Sequence, residues 1–214
     1  MISDFDVRQS LGPLRQIFWG ALLWLLDIQI NGFDILNDIL ATLIIAVGVT
    51  RLARVDVSDK YRAAMGFVKV TAYVSVVSAA VQMANGLPQA LVVPLTIVSL
   101  AQLAATITFC IAMQGFCLEA GLTKSATSWR LTTILFAWLF AAPLGVVFGA
   151  ILVSQATDAR WSYRLGASVL FVLAVLLVPI VHFFISTSRM KREVAGGMTY
   201  RGHGFEVLPP RDSP

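Results

Sequence analysis

The sequence predicts an all-α fold: a polytopic membrane protein built as a six-transmembrane-helix bundle with both termini in the cytoplasm. Three observations carry that expectation. Hydrophobic residues make up 57% of the 214-residue chain against 13% charged, with a mean hydropathy of +0.79, a balance that belongs to chains solvated by lipid. The apolar residues fall into blocks close to the roughly 20 residues a helix needs to cross about 30 Å of hydrocarbon. The basic residues gather on alternate sides of those blocks, as cytoplasmic loops retain them. A soluble domain, a disordered chain and a disulfide scaffold are excluded.

The blocks run approximately over 14–30, 36–52, 63–83, 90–116, 131–153 and 165–186. They define a transmembrane domain over 14–187, preceded by a cytoplasmic N-terminal segment, 1–13, and followed by a flexible basic cytoplasmic tail, 188–214. Asn31-Gly32-Phe33-Asp34 has the composition of a tight turn, and Asp34 is placed to cap the second helix. The first two helices are therefore expected to form an antiparallel hairpin. Asn85-Gly86-Leu87-Pro88-Gln89 joins the third and fourth in the same way. The tail carries Gly196, Gly197, Gly202, Gly204, Pro209 and Pro210, which argues for poor order.

Orientation follows from the cations. Arg8, Arg15, Arg51, Arg54, Lys60, Arg62, Lys124, Arg130, Arg189, Lys191, Arg192, Arg201 and Arg211 lie on one side, and Arg160 and Arg164 on the other. That asymmetry places both termini in the cytoplasm. Strung along membrane borders with no binding fold around them, these cations argue against a nucleic-acid partner. Segment 188–192 reads as a stop-transfer anchor that favours anionic lipid. Asp4 and Asp6 stand where a signal peptide has its positive region, so the first span is expected to remain.

The faces of the blocks suggest how they meet. In the third, Thr71, Ser75, Ser78, Gln82 and Asn85 share one helical stripe; in the fourth, Thr96, Ser99, Gln102, Thr106, Cys110, Gln114 and Cys117 do. The two stripes are expected to face each other as a polar helix–helix seam, with a hydrated path along them as the alternative. The two cysteines lie about 10 Å apart along one helix, so they read as small packing residues and not as a disulfide. Lys69 falls opposite the Thr71 stripe and is expected to snorkel. Ala137, Ala141, Gly145 and Gly149 recur every fourth residue of the fifth block, a small-residue packing ridge for a neighbouring span or a second protomer. Gly145→Leu should disrupt that contact, and Pro143 predicts a bend. In the sixth block His182 shares a face with Ser168, Phe171, Val175 and Ser186. It reads as a neutral imidazole bonded to a neighbouring helix, with a proton relay as the alternative. Glu119 reads as a headgroup-level charge.

One constellation could carry chemistry. Asp27 lies one turn before Asn31, Asp38 one turn after Asp34, and the hairpin brings them to one level at the outer interface. Carboxylates there are costly as bare anions. Arg160 and Arg164 are the cations on that side and favour a structural clasp. The alternatives are a cation or proton site formed by Asp27, Asn31, Asp34 and Asp38, whose oxygens would suit Ca²⁺ or Na⁺ better than Zn²⁺, and simple exposure to water.

This stretch also carries a family resemblance. Leu26-Asp27-Ile28-Gln29-Ile30-Asn31-Gly32-Phe33-Asp34-Ile35-Leu36-Asn37-Asp38, continuing through Leu43-Ile44-Ile45-Ala46-Val47-Gly48-Val49-Thr50-Arg51-Leu52, resembles the first hairpin of a group of uncharacterised bacterial multi-pass membrane proteins. Their pattern reads approximately D-I-L-P-D-x-I-G-Y, then an apolar run and G-L-x-x-L. Asn37 stands in place of the proline, Ala41 of the glycine and Thr42 of the tyrosine. The resemblance covers the first quarter of the chain and implies the bacterial cytoplasmic membrane, with no activity attached.

No Ser-His-Asp, HExxH, CxxC, Walker or GxGxxG arrangement is present, so an intramembrane enzyme is disfavoured and no cofactor is expected. A small-solute or cation/proton-coupled transporter is permitted by the polar stripes, the outer acids and a short echo between two three-helix halves. That echo pairs Asp59-Lys60-Tyr61-Arg62 and Gly66 with 158–164 and Gly166. An accessory, scaffold or assembly component needs only packing faces and is the favoured reading. Its expected partners are the lipid bilayer and, through the fifth helix, another membrane protein or a second copy.

Overall fold

The computed structural model describes residues 4–25, 35–55, 57–82, 91–143 and 168–202. Their elements are α1 (Asp4–Leu25), α2 (Ile35–Leu52), α3 (Asp59–Gln82), α4 (Val92–Glu119), α5 (Thr123–Phe136) and α6 (Ser168–Gly202), with no strand among the described residues. The protein is all-α. Two helical stretches, Asp59–Gln82 and Val93–Glu119, are long and apolar enough to cross a membrane.

Each helix packs on the next in sequence, and α6 returns onto α1, so the helices close into a ring. Among the described residues, the apolar core gathers at one end of that ring. Leu14 and Ile17 of α1 meet there with Val49 and Leu52 of α2, Met65 of α3, Met113 and Phe116 of α4, Trp129 of α5, and Phe183 and Met190 of α6. The Trp129 indole stands edge-on to both Phe109 and Phe183, with ring centroids 5.8 and 5.5 Å away. The short connections 53–58 and 120–122 lie at this end, and so do Arg51, Arg54, Lys60, Lys124 and Lys191.

Two glycines set the spacing of α1 and α2. A Cβ on Gly20 would stand 2.7 Å from Ile45 Cγ1 and 3.0 Å from the Ala41 carbonyl; one on Gly48 would stand 2.8 Å from Ile17 Cγ1 and 3.0 Å from the Pro13 carbonyl. The two backbones therefore touch where side chains are absent. The crossed pairing, Gly20 with 41–45 and Gly48 with 13–17, makes the helices antiparallel, as the hairpin composition leads one to expect.

Helix α4 ends in a Schellman motif. Gly121 adopts φ +73°, its N–H donates to the Leu118 carbonyl, and the Leu122 N–H donates to the Cys117 carbonyl at 2.8 Å. Helix α5 starts at once, with Leu122 in the N-cap position and no side-chain cap of its own. Farther on, α5 widens into a π-helical segment, Ala137–Ala141, in which the Ala142 N–H reaches back to the Ala137 carbonyl. Pro143 has no N–H to donate, and a local π turn re-sorts the carbonyls around it.

Three boundaries differ widely from those drawn on hydropathy, one of them the start of α5, at Thr123 and not at 131. The first helix begins at Asp4, inside the segment 1–13 set apart as an N-terminal extension. Val7 and Leu14 are both buried, seven residues apart on one face, and the buried Ser10 hydroxyl donates to the Val7 carbonyl at 2.7 Å. The last helix continues to Gly202, through the first part of the tail expected to be flexible. Phe183, Thr187, Met190 and Val194 follow one another at spacings of four, three and four and are all buried, so the inner face of the helix outlasts its apolar block. Charged residues on the other faces lower the average hydropathy without ending the helix.

Around this apolar core, the outer faces are also apolar, and several hydroxyls are turned inward. Val70, Val74 and Val77 on α3, Val93, Ile97 and Leu100 on α4, and Val178, Val181 and Ile185 on α6 all point outward at helical spacing. Ser10, Thr71, Ser75, Ser78, Ser125, Ser128, Thr132, Ser186 and Thr187 are buried.

Candidate functional site

The densest polar arrangement among the described residues joins α5 to α6. Ser125, Ser128 and Thr132 are spaced three and four along α5; His182, Ser186 and Glu193 are spaced four and seven along α6. Each set forms one stripe, and the antiparallel packing brings them together in order. Ser128 Oγ lies 2.8 Å from Ser186 Oγ. Thr132 Oγ1 lies 2.8 Å from Ser186 Oγ and 2.8 Å from His182 Nδ1. The Ser186 hydroxyl is itself 3.4 Å from that nitrogen.

At the far level, the Glu193 carboxylate accepts from the Lys124 and Ser125 backbone N–H groups, at 3.3 and 2.7 Å, and from the Ser125 hydroxyl. These are the second and third residues of α5, the N–H groups that a helix leaves without an intrahelical partner. A carboxylate at that place satisfies the orphan donors and complements the helix dipole. The cap that Leu122 cannot supply thus arrives from another helix. Beside it, Cys117 Sγ meets Met190 Sδ at 3.8 Å.

The Thr132 hydroxyl has one proton and donates it to the Ser128 carbonyl at 3.0 Å; with Nδ1 protonated the imidazole donates to Thr132, and with Nδ1 bare the Thr132 proton must leave that carbonyl to reach it. In apolar surroundings each such bond chiefly prevents a stranded polar group. Thr132→Val, which keeps the shape and removes the hydroxyl, leaves the imidazole with the longer 3.4 Å contact to Ser186, while Ser186 keeps Ser128. We expect it to destabilise the fold by about 1–3 kcal/mol, read as a lower unfolding midpoint in detergent; an unchanged midpoint would rule out this seam as a stabilising element.

The seam anticipated between the third and fourth helices is present at one level. Gln102 Nε2 donates to Ser75 Oγ at 2.8 Å across α3 and α4. Other members of the stripes bond within their own helices: Ser75 to the Thr71 carbonyl, Gln82 to Ser78, Ser99 to the Leu95 carbonyl and Thr106 to the Gln102 carbonyl. Thr71, Ser75 and Ser78 are buried, whereas Ser99 and Gln82 are exposed. Asn85 lies outside the described residues. A double-mutant cycle over Ser75→Ala and Gln102→Leu should return a coupling of about 0.6 kcal/mol, the usual size of such a bond in a membrane bundle. A coupling of zero would remove the bond from the account.

His182 is bonded to a neighbouring helix, as its face suggested, and its partner is Thr132. Lys69 is exposed on the side of α3 away from the buried Thr71. Glu119 is exposed at the end of α4. Both cysteines are free and buried. Asp27, Asn31 and Asp34, together with Arg160 and Arg164, lie outside the described residues, while Asp38 is exposed in the first turn of α2. Of the proposed ridge, Ala137 and Ala141 are half-buried within the π segment, whose wider turn changes their alignment. Gly145 and Gly149 lie outside the described residues. Among the described residues no group of His, Cys, Asp and Glu is arranged to hold a metal ion.

Sequence reasoning missed Glu193 and the close glycine pair. Glu193 sits amid basic residues in a segment set aside as tail; its signal was the continued four-and-three spacing of Phe183, Thr187, Met190 and Val194. Gly20 and Gly48 gave a weaker one, each a single small residue in a different block. No known protein family, curated protein or solved structure matches the chain.

Proposed function

We propose that the chain is a six-span integral membrane protein of the bacterial cytoplasmic membrane, with both termini cytoplasmic. Its role on this reading is that of a non-enzymatic accessory, scaffold or assembly component. The observation that carries the membrane reading is the apolar outer surface. Valines, leucines and isoleucines point outward at helical spacing on several helices while, among the described residues, nine serines and threonines turn inward, an arrangement that is stable when the surrounding solvent is hydrocarbon. The gathering of Arg51, Arg54, Lys60, Lys124 and Lys191 at one end of the ring supports the orientation.

The assembly role is supported by how the inner polar groups are used. Ser128, Thr132, His182 and Ser186 bond to one another, Ser75 bonds Gln102, and Glu193 caps α5. Such bonds hold helices together. Outside, Trp138 is 70% exposed on the π segment, a large aromatic surface of the kind that anchors contacts between proteins.

Topology reporters fused after residues 56, 87, 121 and 158 and at the C-terminus test the spans. Reporters at 56, 121 and the terminus should register as cytoplasmic, and those at 87 and 158 as external. A terminus that registers as external overturns the six-span reading. For assembly, benzophenone-alanine in place of Trp138, which inserts into any C–H bond within reach on illumination, should yield a specific cross-link to a membrane partner or second copy; its absence in native membranes argues against the fifth helix as the contact.

A further inference from the structure

A groove of about 390 Å³ runs between the middle of α1 and residues 187–191 of α6. Its lining joins two unlike chemistries. Arg15 and Lys191 bring cations from the two helices, and Ser188 adds a hydroxyl; Leu11, Phe18 and Trp19 supply apolar surface. Among the described residues neither cation takes part in an ion pair. The neighbouring Thr187 hydroxyl is already committed to the Phe183 carbonyl at 3.1 Å.

The position of the groove is specific. Arg15 adjoins the start of the first apolar block, and Lys191 follows the end of the last, so both stand at the basic end of the ring. Trp19 lies one turn along α1 from Arg15 and is 53% exposed, the placement of an interfacial aromatic. The Phe18 ring packs on Phe184 of α6 at 4.8 Å, which fixes one wall. Two cations lining one groove favour an anion between them. A guanidinium matches phosphate oxygens with paired N–H donors, and an ammonium serves phosphate as a point charge.

We propose that this groove is a binding site for an anionic phospholipid. The phosphodiester lies between Arg15 and Lys191 with Ser188 donating to it, and an acyl chain runs against Phe18 and Trp19. The apolar walls decide the source: they match an acyl chain and add nothing to the binding of a free phosphate. A zwitterionic phospholipid is a poorer occupant, since its own ammonium is repelled by the same two cations. Basic pockets between helices at the cytoplasmic surface are a recurrent way of holding such headgroups. The inference rests on the bilayer reading of the previous subsection.

The test uses the full chain, purified in mild detergent and examined by native mass spectrometry with phosphatidylglycerol or phosphatidylcholine added. Retained phosphatidylglycerol should exceed phosphatidylcholine at least about fivefold, fall to parity in an Arg15→Gln/Lys191→Gln variant, and persist when inorganic phosphate is added in excess. An Arg189→Gln/Arg192→Gln variant removes the same charge from α6 outside the groove and should keep the preference. Equal loss in both double variants, no preference in the parent, or displacement by inorganic phosphate would overturn the site. Alkaline carbonate extraction of membranes separates the two readings. A chain released into the supernatant sinks both, whereas one retained in the membrane without lipid preference sinks the groove alone.

Discussion

Gly20→Leu is expected to force α1 and α2 apart and to cost about 3 kcal/mol or more, the upper range for overpacking a close contact. At Gly20 even the first added carbon would meet Ile45 Cγ1 at 2.7 Å and the Ala41 carbonyl at 3.0 Å, and backbone cannot step aside as a side-chain tip can. The informative comparison lies on the same helix. Gly12 has nothing within 4 Å of an added Cβ and is exposed, so Gly12→Ala should gain most of the roughly 0.8–1 kcal/mol by which alanine exceeds glycine in a helix. Gly20→Ala has the same propensity gain and should nonetheless lower stability. The checking measurement is the unfolding midpoint of each variant in detergent or bicelles. Equal shifts for Gly12→Ala and Gly20→Ala would show that the two backbones do not touch.

Glu193→Ala should be the second large effect, at about 2 kcal/mol. Helix caps contribute about 0.5–2 kcal/mol and hydrogen bonds to charged groups about 1.5–3 kcal/mol. This side chain supplies both, through the Lys124 and Ser125 N–H groups and the Ser125 hydroxyl. Glu193→Gln keeps an acceptor oxygen and loses the charge, so it should fall between parent and alanine. Because the cap lies at the α4–α5 turn, local loosening should raise hydrogen exchange of the amides of 123–126 before the rest of α5. Unchanged protection there in Glu193→Ala would place the stabilising role elsewhere.

The hydrogen-bonded levels show where sequence reading was adequate and where it stopped. The Thr71, Ser75 and Ser78 face is legible because three small polar residues at helical spacing in an apolar helix find hydrogen-bond partners most readily at a protein interface. Which of them finds a partner across the interface depends on the axial shift of α3 against α4, and this selects Ser75 with Gln102 alone among the described pairs. Ser128 and Thr132 were available to the same reasoning at spacing four. Ser128 escaped it because the residues before 131 are polar enough to read as a loop, although α5 has already begun at Thr123, and Thr132 was thereby left without its companion on the stripe. A hydropathy block marks the apolar stretch of a helix; it does not mark where the helix starts.

From its residues alone, the chain specifies an all-α architecture, the hairpin sense of its first two helices, and the collection of basic residues at one end. These follow from local properties: apolar length, turn composition and the placement of charge. The tertiary structure decided the close approach at Gly20 and Gly48, the continuation of α6 to Gly202, the cap that Glu193 lends to α5, and the union of His182 with Thr132. Those depend on the rotation and axial offset of one helix against another. Both are set by the packing of the whole ring, and no single segment encodes them.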